Sequence, residues 1–206
     1  MALYELQKGN GYEVITLLTT VTEEYERISM HGVRNELLEQ QAESIGLPLE
    51  KMYITKKADN EQYMTRMEKK LLEHKDNGIS LVAYGDIFLE DLRKYREDNL
   101  KKVDMKAIFP LWKRDTASLS REFIELGFKT RITCIDSRVL DKSFVGRVYD
   151  ESFLNDLPDS VDPCGENGEF HSFVFDGPNF STPIKHETGE IVLRNERFYF
   201  CDLVPL

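Results

Sequence analysis

The chain has 206 residues, 41% hydrophobic and 31% charged, with 37 acidic against 27 basic side chains and a formal charge of -10. That size fits one compact α/β domain with a modest appendage. No run reaches the ~20 apolar residues of a membrane span, and a surface this negative repels a phosphate backbone, which argues against general nucleic-acid binding. The opening MALYELQKGNGYEV lacks a basic segment followed by an apolar core, so no secretory signal is expected. Cys134, Cys164 and Cys201, with no CxxC pair, then read as reduced thiols of a cytoplasmic protein.

Residues Ala2 to Gln7 have helical spacing and end at Gly9 and Gly11. YEVITLLTTV, Tyr12 to Val21, is a near-continuous β-branched and aliphatic run, the pattern of a strand buried on both faces. In HGVRNELLEQQAESIG, Val33, Leu37, Leu38, Ala42 and Ile45 share one helical stripe and Gly46 supplies a stop. LEKMYIT is a second short strand. DNEQYMTRMEKKLLEHKDNG predicts an amphipathic helix with Met64, Met67 and Leu71 inward. The strand SLVAYGD follows, then the charged helix EDLRKYREDNLKKV and the short apolar KAIFPLW. Asp115 or Thr116 caps a helix that turns Leu119, Phe123 and Ile124 inward and stops at Gly127, and the strand FKTRITCI closes the series. Such alternation predicts an α/β fold, with a Rossmann-like, mostly parallel sheet flanked by helices over residues 1–136. After Asp136 come two short helical patterns, a Pro- and Gly-rich loop over 158–168, and FHSFVFDG and EIVLRNERFYFCDL as antiparallel strands. Residues 137–206 are therefore read as a small α+β extension packed on the core.

In open parallel sheets ligands lie beyond the carboxyl ends of the strands. That rule selects Thr19 and Thr20, Gly85 and Asp86, and Asp136 with Ser137. Hydroxyls and a strand-end carboxylate suit a ribose, an adenine edge or a magnesium ion carried by phosphates. The same residue types also occur at strand ends simply as turn formers. In SMHGVR, Ser29 can cap a helix, Gly32 permits close backbone approach, and His31 and Arg34 lie near the anion-attracting end. A plain capped helix start with surface side chains is the competing reading.

VDPCGENGEFHSFVFDGP, Val161 to Pro178, is denser in polar groups. Gly165 and Gly168 frame Glu166 and Asn167 in a tight loop. Glu169 and His171, two apart at the start of a strand, project from one face. A carboxylate and an imidazole there, beside a loop acid and an amide, can bind an amine or activate a nucleophile; a glycine-rich turn with solvated acids is the plainer alternative. Asp162, Cys164, Glu169 and His171 match no recognised zinc spacing, and no metal site is assigned.

LLTTV…YERISMHGVR, LVAYGDIFLEDLR, FPLW, EFIELGFKTRITCID and above all DPCGENGEFHSFVFDGP resemble, in this order and over essentially the whole chain, the diphthine–ammonia ligase family of PP-loop ATP pyrophosphatases. The resemblance implies an adenine nucleotide alpha hydrolase-like fold and an AMP-forming ligation. A substrate carboxylate attacks the α-phosphate of ATP, pyrophosphate leaves, and ammonia displaces AMP to give an amide. ATP and Mg2+ are the implied cofactors, with the nucleotide at Thr19, Thr20, His31, Gly32, Gly85 and Asp86. Glu166, Glu169 and His171 would be catalytic, while Gly165, Asn167 and Gly168 would hold the acyl or amine half. The implied partners are the small-molecule nucleotide, ammonia and a carboxylate substrate carried on a protein such as a translation elongation factor. Family members open with a strand and an S-G-G-x-D-S loop whose helix continues into something like ALYELQKG. Met1-Ala2-Leu3 coincides with the start of that helix, so the strand and loop are read as absent. A start assigned at an internal methionine is the expectation, and a truncated paralogue that binds a ligand without chemistry is the alternative. A third reading, a metal-dependent hydrolase built on Cys164 and His171, predicts bound metal.

Overall fold

The computed structural model describes residues 1–9, 11–56 and 59–206. Helix α1 (Ala2–Lys8) leads to strand β1 (Leu17–Thr22), the two-residue β2 (Arg27–Ile28), helix α2 (Asn35–Ile45) and strand β3 (Leu49–Ile54). β1 runs parallel to β3 along its whole length and meets β2 antiparallel only at Val21 and Thr22. Helix α3 (Asn60–Asp76), strand β4 (Leu81–Ala83), helix α4 (Glu90–Lys102) and strand β5 (Lys106–Ile108) follow, with β4 and β5 forming a separate parallel pair. Helix α5 (Thr116–Glu125), strand β6 (Lys129–Asp136), helix α6 (Glu151–Asp156) and strands β7 (Phe170–Asp176), β8 (His186–Arg194) and β9 (Phe198–Pro205) complete the chain. The last four strands make one antiparallel sheet in the order β7-β6-β9-β8.

The helix starts follow capping chemistry. Asp59, Asp115 and Asp150 accept the backbone N–H of Gln62, Ser118 and Phe153 at 2.8, 2.8 and 2.9 Å, satisfying first-turn donors that have no partner within the helix. α2 stops at Gly46, whose left-handed backbone (φ 77°) turns its N–H back onto the carbonyls of Ala42 and Glu43.

The result is a mixed α/β fold, with two departures from the expected elements. The run Tyr12–Val21 becomes strand only from Leu17, and Tyr12 and Ile15 stay exposed. Among the described residues no strand pairs with 12–16, so β-branched composition alone does not extend the ladder. FKTRITCI, expected to close the parallel series, runs antiparallel to both neighbours as β6. Residues 132–136 of β6 are all buried. A continuous apolar run reports burial on two faces and says nothing of strand direction.

One large apolar cluster joins the two halves of the chain. Val33 and Leu37, at the start of α2, pack with Ile132 and Ile135 of β6, Phe170 and Phe173 of β7, and Cys201 and Leu203 of β9. At its centre Phe153 is fully buried, with ring centroids of Phe144, Tyr149 and Phe170 at 5.7, 5.2 and 5.5 Å. Phe153→Ala is expected to cost about 3–5 kcal/mol by opening a cavity that its neighbours cannot close. Urea denaturation would show this as a lower midpoint at unchanged slope; a loss below ~1 kcal/mol would contradict the central place given to this ring.

Candidate functional site

Residues 162–169 form a loop that satisfies its own backbone. Asp162 Oδ1 accepts the N–H of Cys164 (2.9 Å) and of Glu166 (3.2 Å), and the Asp162 carbonyl accepts that of Gly165 (2.9 Å). Glu169, only 6% exposed, accepts from the Asp162 N–H (3.0 Å), the Asn167 N–H (3.0 Å) and the Asn167 side-chain amide (2.9 Å). Gly165 must be glycine here. Its φ is 69°, and a Cβ would stand 3.0 Å from the Phe170 carbonyl oxygen.

Glu166 is the loop carboxylate that reaches outward. Its Oε1 accepts the backbone N–H of Ile87 at 2.7 Å and of Phe88 at 3.3 Å, in the turn that follows β4. The Ile87 carbonyl in turn accepts the N–H of Lys113 at 2.7 Å. Three connections, 85–88, 109–115 and 162–169, therefore converge. Beneath them lies a cavity of about 190 Å³, walled by Ile87, Leu111, Leu119, Cys164 and Phe170, with the hydroxyl residues Ser120, Thr130 and Ser172 among its lining. A whole drug-sized ligand needs ~300–1,000 Å³, so this space is too small for one.

His31 and His171 meet a few residues away, with ring centroids 4.6 Å apart. Burial pushes the His171 imidazole down to about 4, with the neighbouring His31 adding to the effect, and burial also lowers His31. Both rings are neutral at pH 7. The loop carrying His31 is fixed to β9. Arg34 grips Asp202 with two nitrogens at 3.1 and 2.6 Å, and Arg27 Nη1 donates to Asp202 and to the Gly32 carbonyl, both at 2.7 Å. Burial alone would raise the Asp202 carboxyl, but the two guanidiniums outweigh it and hold it at about 2. Gly32 (φ 71°) lies against Phe200, where a Cβ would fall 2.7 Å from the ring.

A wider groove of about 620 Å³ opens beside this loop, past the carboxyl ends of β1 and β3. Thr22, Tyr25 and Lys56 line one side and Val192, Arg194 and Phe200 the other.

The residues selected from sequence fall into four places. Gly165, Glu166, Asn167, Gly168 and Glu169 form the loop, with Asn167 and Gly168 exposed. His31, Gly32 and His171 lie together at the β7–β9 face. Thr19 and Thr20 sit inside β1 opposite Lys51 and Met52, two residues short of the strand end expected for them, and the Thr20 carbonyl accepts the Ser29 N–H at 3.1 Å. Gly85 and Asp86 lie in the turn after β4. Asp86 is buried, with Oδ2 2.8 Å from Arg96 Nε but off the N–H axis, so the pair is Coulombic without a well-directed hydrogen bond.

Glu169 and His171 do not pair. The carboxylate turns into its own loop and the imidazole faces His31. Asp136, another strand-end candidate, is held by Arg197 at 2.6 Å and Arg138 at 3.0 Å, which keep its carboxyl well below the usual range. Sequence reading missed Ser120, Thr130 and Ser172. The one signal was a serine inside the apolar stripe of α5, between Leu119 and Phe123.

Cys164 donates to the Thr116 carbonyl at 3.5 Å, and burial, reinforced by Asp162, pushes its thiol up to about 12. It is protonated at neutral pH and is not an activated nucleophile. Among the described residues no group of three or more His, Cys, Asp or Glu is placed to hold a metal ion. No helix of the described residues is long and apolar enough to cross a membrane.

A mixed α/β protein with a polar loop and a paired imidazole site at the seam of its halves is the class these features define. Residues 1–107 match the diphthamide synthase N-terminal domain and residues 115–202 the diphthamide synthase C-terminal domain. The chain belongs to the diphthamide synthase family. It is 27% identical over 193 residues to the diphthine–ammonia ligase of Homo sapiens, covering 84% of this chain and 71% of that protein. The diphthine–ammonia ligase of Rattus norvegicus is 27% identical over 211 residues, 91% of this chain and 78% of that one. That of Schizosaccharomyces pombe is 23% identical over 210 residues, 88% of this chain but only 34% of its own length.

The buried imidazoles give a pH signature. His171 binds a proton near 6.5 when unfolded but only near 4 when folded, so its contribution to stability is full above pH 6.5 and is lost as pH falls to 4. A decline of roughly 3 kcal/mol over that window is expected from urea midpoints, ahead of the carboxylate-driven loss below pH 4. His171→Phe should flatten the decline, and an unchanged slope in that variant would contradict the neutral, buried state of the ring.

Proposed function

We propose that the protein is an ATP-dependent, AMP-forming amide ligase that uses ammonia, and that the seam between its halves is the reaction site. The observation that carries this is the family match over both halves of the chain, together with the activity for which its relatives are named, diphthine–ammonia ligase. In this reading residues 1–136 are the nucleotide side and 137–206 the acceptor side. β1-β3 and β4-β5 are two pieces of one Rossmann-like parallel layer of the adenine nucleotide alpha hydrolase kind, with ATP lying past their carboxyl ends. Thr19, Thr20, Gly85 and Asp86 then shape the backbone on which the nucleotide rests, and His31 and Gly32 bound it on the acceptor side. Mg2+ comes with the phosphates as their counter-ion, and no step is assigned to it.

The chemistry balances in two steps. A carboxylate oxygen of the acceptor attacks the α-phosphorus and pyrophosphate leaves with the bonding pair. Ammonia then attacks the acyl carbon, AMP leaves, and the new nitrogen sheds a proton. A neutral imidazole is a proton acceptor, so His171, backed by His31, is the group placed for that proton. Asn167, exposed at the loop tip, can orient the incoming amine, and Gly165, Gly168 and Glu169 keep the loop in the shape that presents it. Such an acceptor could be carried by a protein such as an elongation factor. No metal step through Cys164 and His171 belongs to this scheme, in which the imidazole faces His31.

Protein purified from its native source, given ATP, ammonium and the acceptor, is expected to form AMP and pyrophosphate in equal amounts, with AMP dependent on ammonia. His171→Gln should reduce turnover by about 10²-fold. Release of ADP and phosphate would contradict the ligase. Tight ATP binding with no AMP would favour a binding paralogue.

A further inference from the structure

We propose that Glu166 is a positioning residue, not a proton-transfer group: it latches the acceptor-side loop 162–169 to the nucleotide-side turn 85–88. The inference rests on the ligase reading for its activity readout, but its structural readout does not.

A single oxygen makes the link. Oε1 takes both the Ile87 N–H (2.7 Å) and the Phe88 N–H (3.3 Å), and Oε2 has no hydrogen-bond partner among the described residues. With both backbone donors on Oε1, the orientation of the carboxylate is set by the turn it holds. Charge-assisted hydrogen bonds to backbone N–H are strong enough to fix a loop, and the two donors precede α4, where they have no helical acceptor. On its other side the same turn is held by Lys113 N–H on the Ile87 carbonyl at 2.7 Å. Ile87, 4% exposed, is thereby pressed against Leu111 and Leu119 at one wall of the 190 Å³ cavity. Releasing the turn would move that wall and separate the two surfaces across which nucleotide and acceptor must meet. Catalysis is sensitive to displacements of this size, since reacting atoms must be held within about 3–3.5 Å.

The latch also explains a division of labour among three nearby acids. Asp162 and Glu169 satisfy the loop from within, and neither reaches the turn. Without Glu166 the loop would keep its own shape but lose its registration on the nucleotide side.

The tests separate reach, charge and proton transfer. Glu166→Gln keeps the accepting oxygen and removes the charge. Glu166→Asp keeps the charge and withdraws the oxygen by about one C–C bond, ~1.5 Å. Glu166→Ala removes both. Amide hydrogen exchange at Ile87 and Phe88 is expected to speed up about tenfold or more in the Asp and Ala variants and to stay within about threefold of wild type in the Gln variant. AMP formation should follow the same order, with Gln retaining over a third of the rate at an unshifted pH profile. A Gln variant as inactive as Ala, with both amides still protected, would overturn the proposal in favour of proton transfer. An Ala variant whose two amides stay protected would overturn the latch itself. If wild type forms no AMP at all, the ligase reading fails, and the exchange result still decides the latch on its own.

Discussion

Backbone N–H groups buried away from water must find acceptors, and the junction of the two halves depends on how residues 162–169 meet that demand. A glycine-rich loop without regular structure would ordinarily leave several donors unsatisfied at a cost of about 1–3 kcal/mol each. Here two carboxylates within the segment, Asp162 and Glu169, accept four backbone N–H groups between them. The acids that look like solvated decoration in the sequence are the scaffold of the loop. Only because they complete it internally is a third carboxylate, Glu166, left to reach a different part of the chain.

The rest of the seam repeats this arrangement with other chemistry. Asp202 on β9 is shared by Arg27 and Arg34 from the opposite half, so the loop carrying His31 is charge-clamped to the strand that supports it. Gly32 packs on Phe200 because any larger side chain would collide there. Between these polar ties the two imidazoles lie tilted against each other at 42°, uncharged and mostly out of water. Proton-accepting groups are thus held in a rigid frame by ion pairs whose carboxylate titrates well below them. Over the range in which the histidines change charge, the frame keeps its own.

What the sequence reveals is local. The capping aspartates Asp59 and Asp115 precede the helices they start, and the stripe Val33, Leu37, Leu38 and Ala42 is buried as its spacing demands. Strand direction has no such signature: β6 is buried on both faces, as a parallel central strand would be, yet its neighbours run against it. The loop 162–169 is legible as a site because its residue types are unusual. Which carboxylate faces which partner is not, since alternation places Glu169 and His171 on one side of a strand while hydrogen bonding turns Glu169 back into the loop. Contacts between distant segments, such as His31 with His171 or Glu166 with Ile87, depend on tertiary packing that no short window encodes.

The proposed joining of nucleotide and acceptor surfaces at this seam is open to direct observation. Hydrogen exchange of the protein from its native source, with and without an ATP analogue blocked at the α–β bridge, maps where the nucleotide rests. Added protection is expected in the turn 85–88 and, carried through the loop contacts, in residues 162–169. Protection confined to the groove between residues 22–32 and 190–202, with the turn and loop unaffected, would mean that the nucleotide does not reach the turn 85–88 and that the seam is not the reaction site.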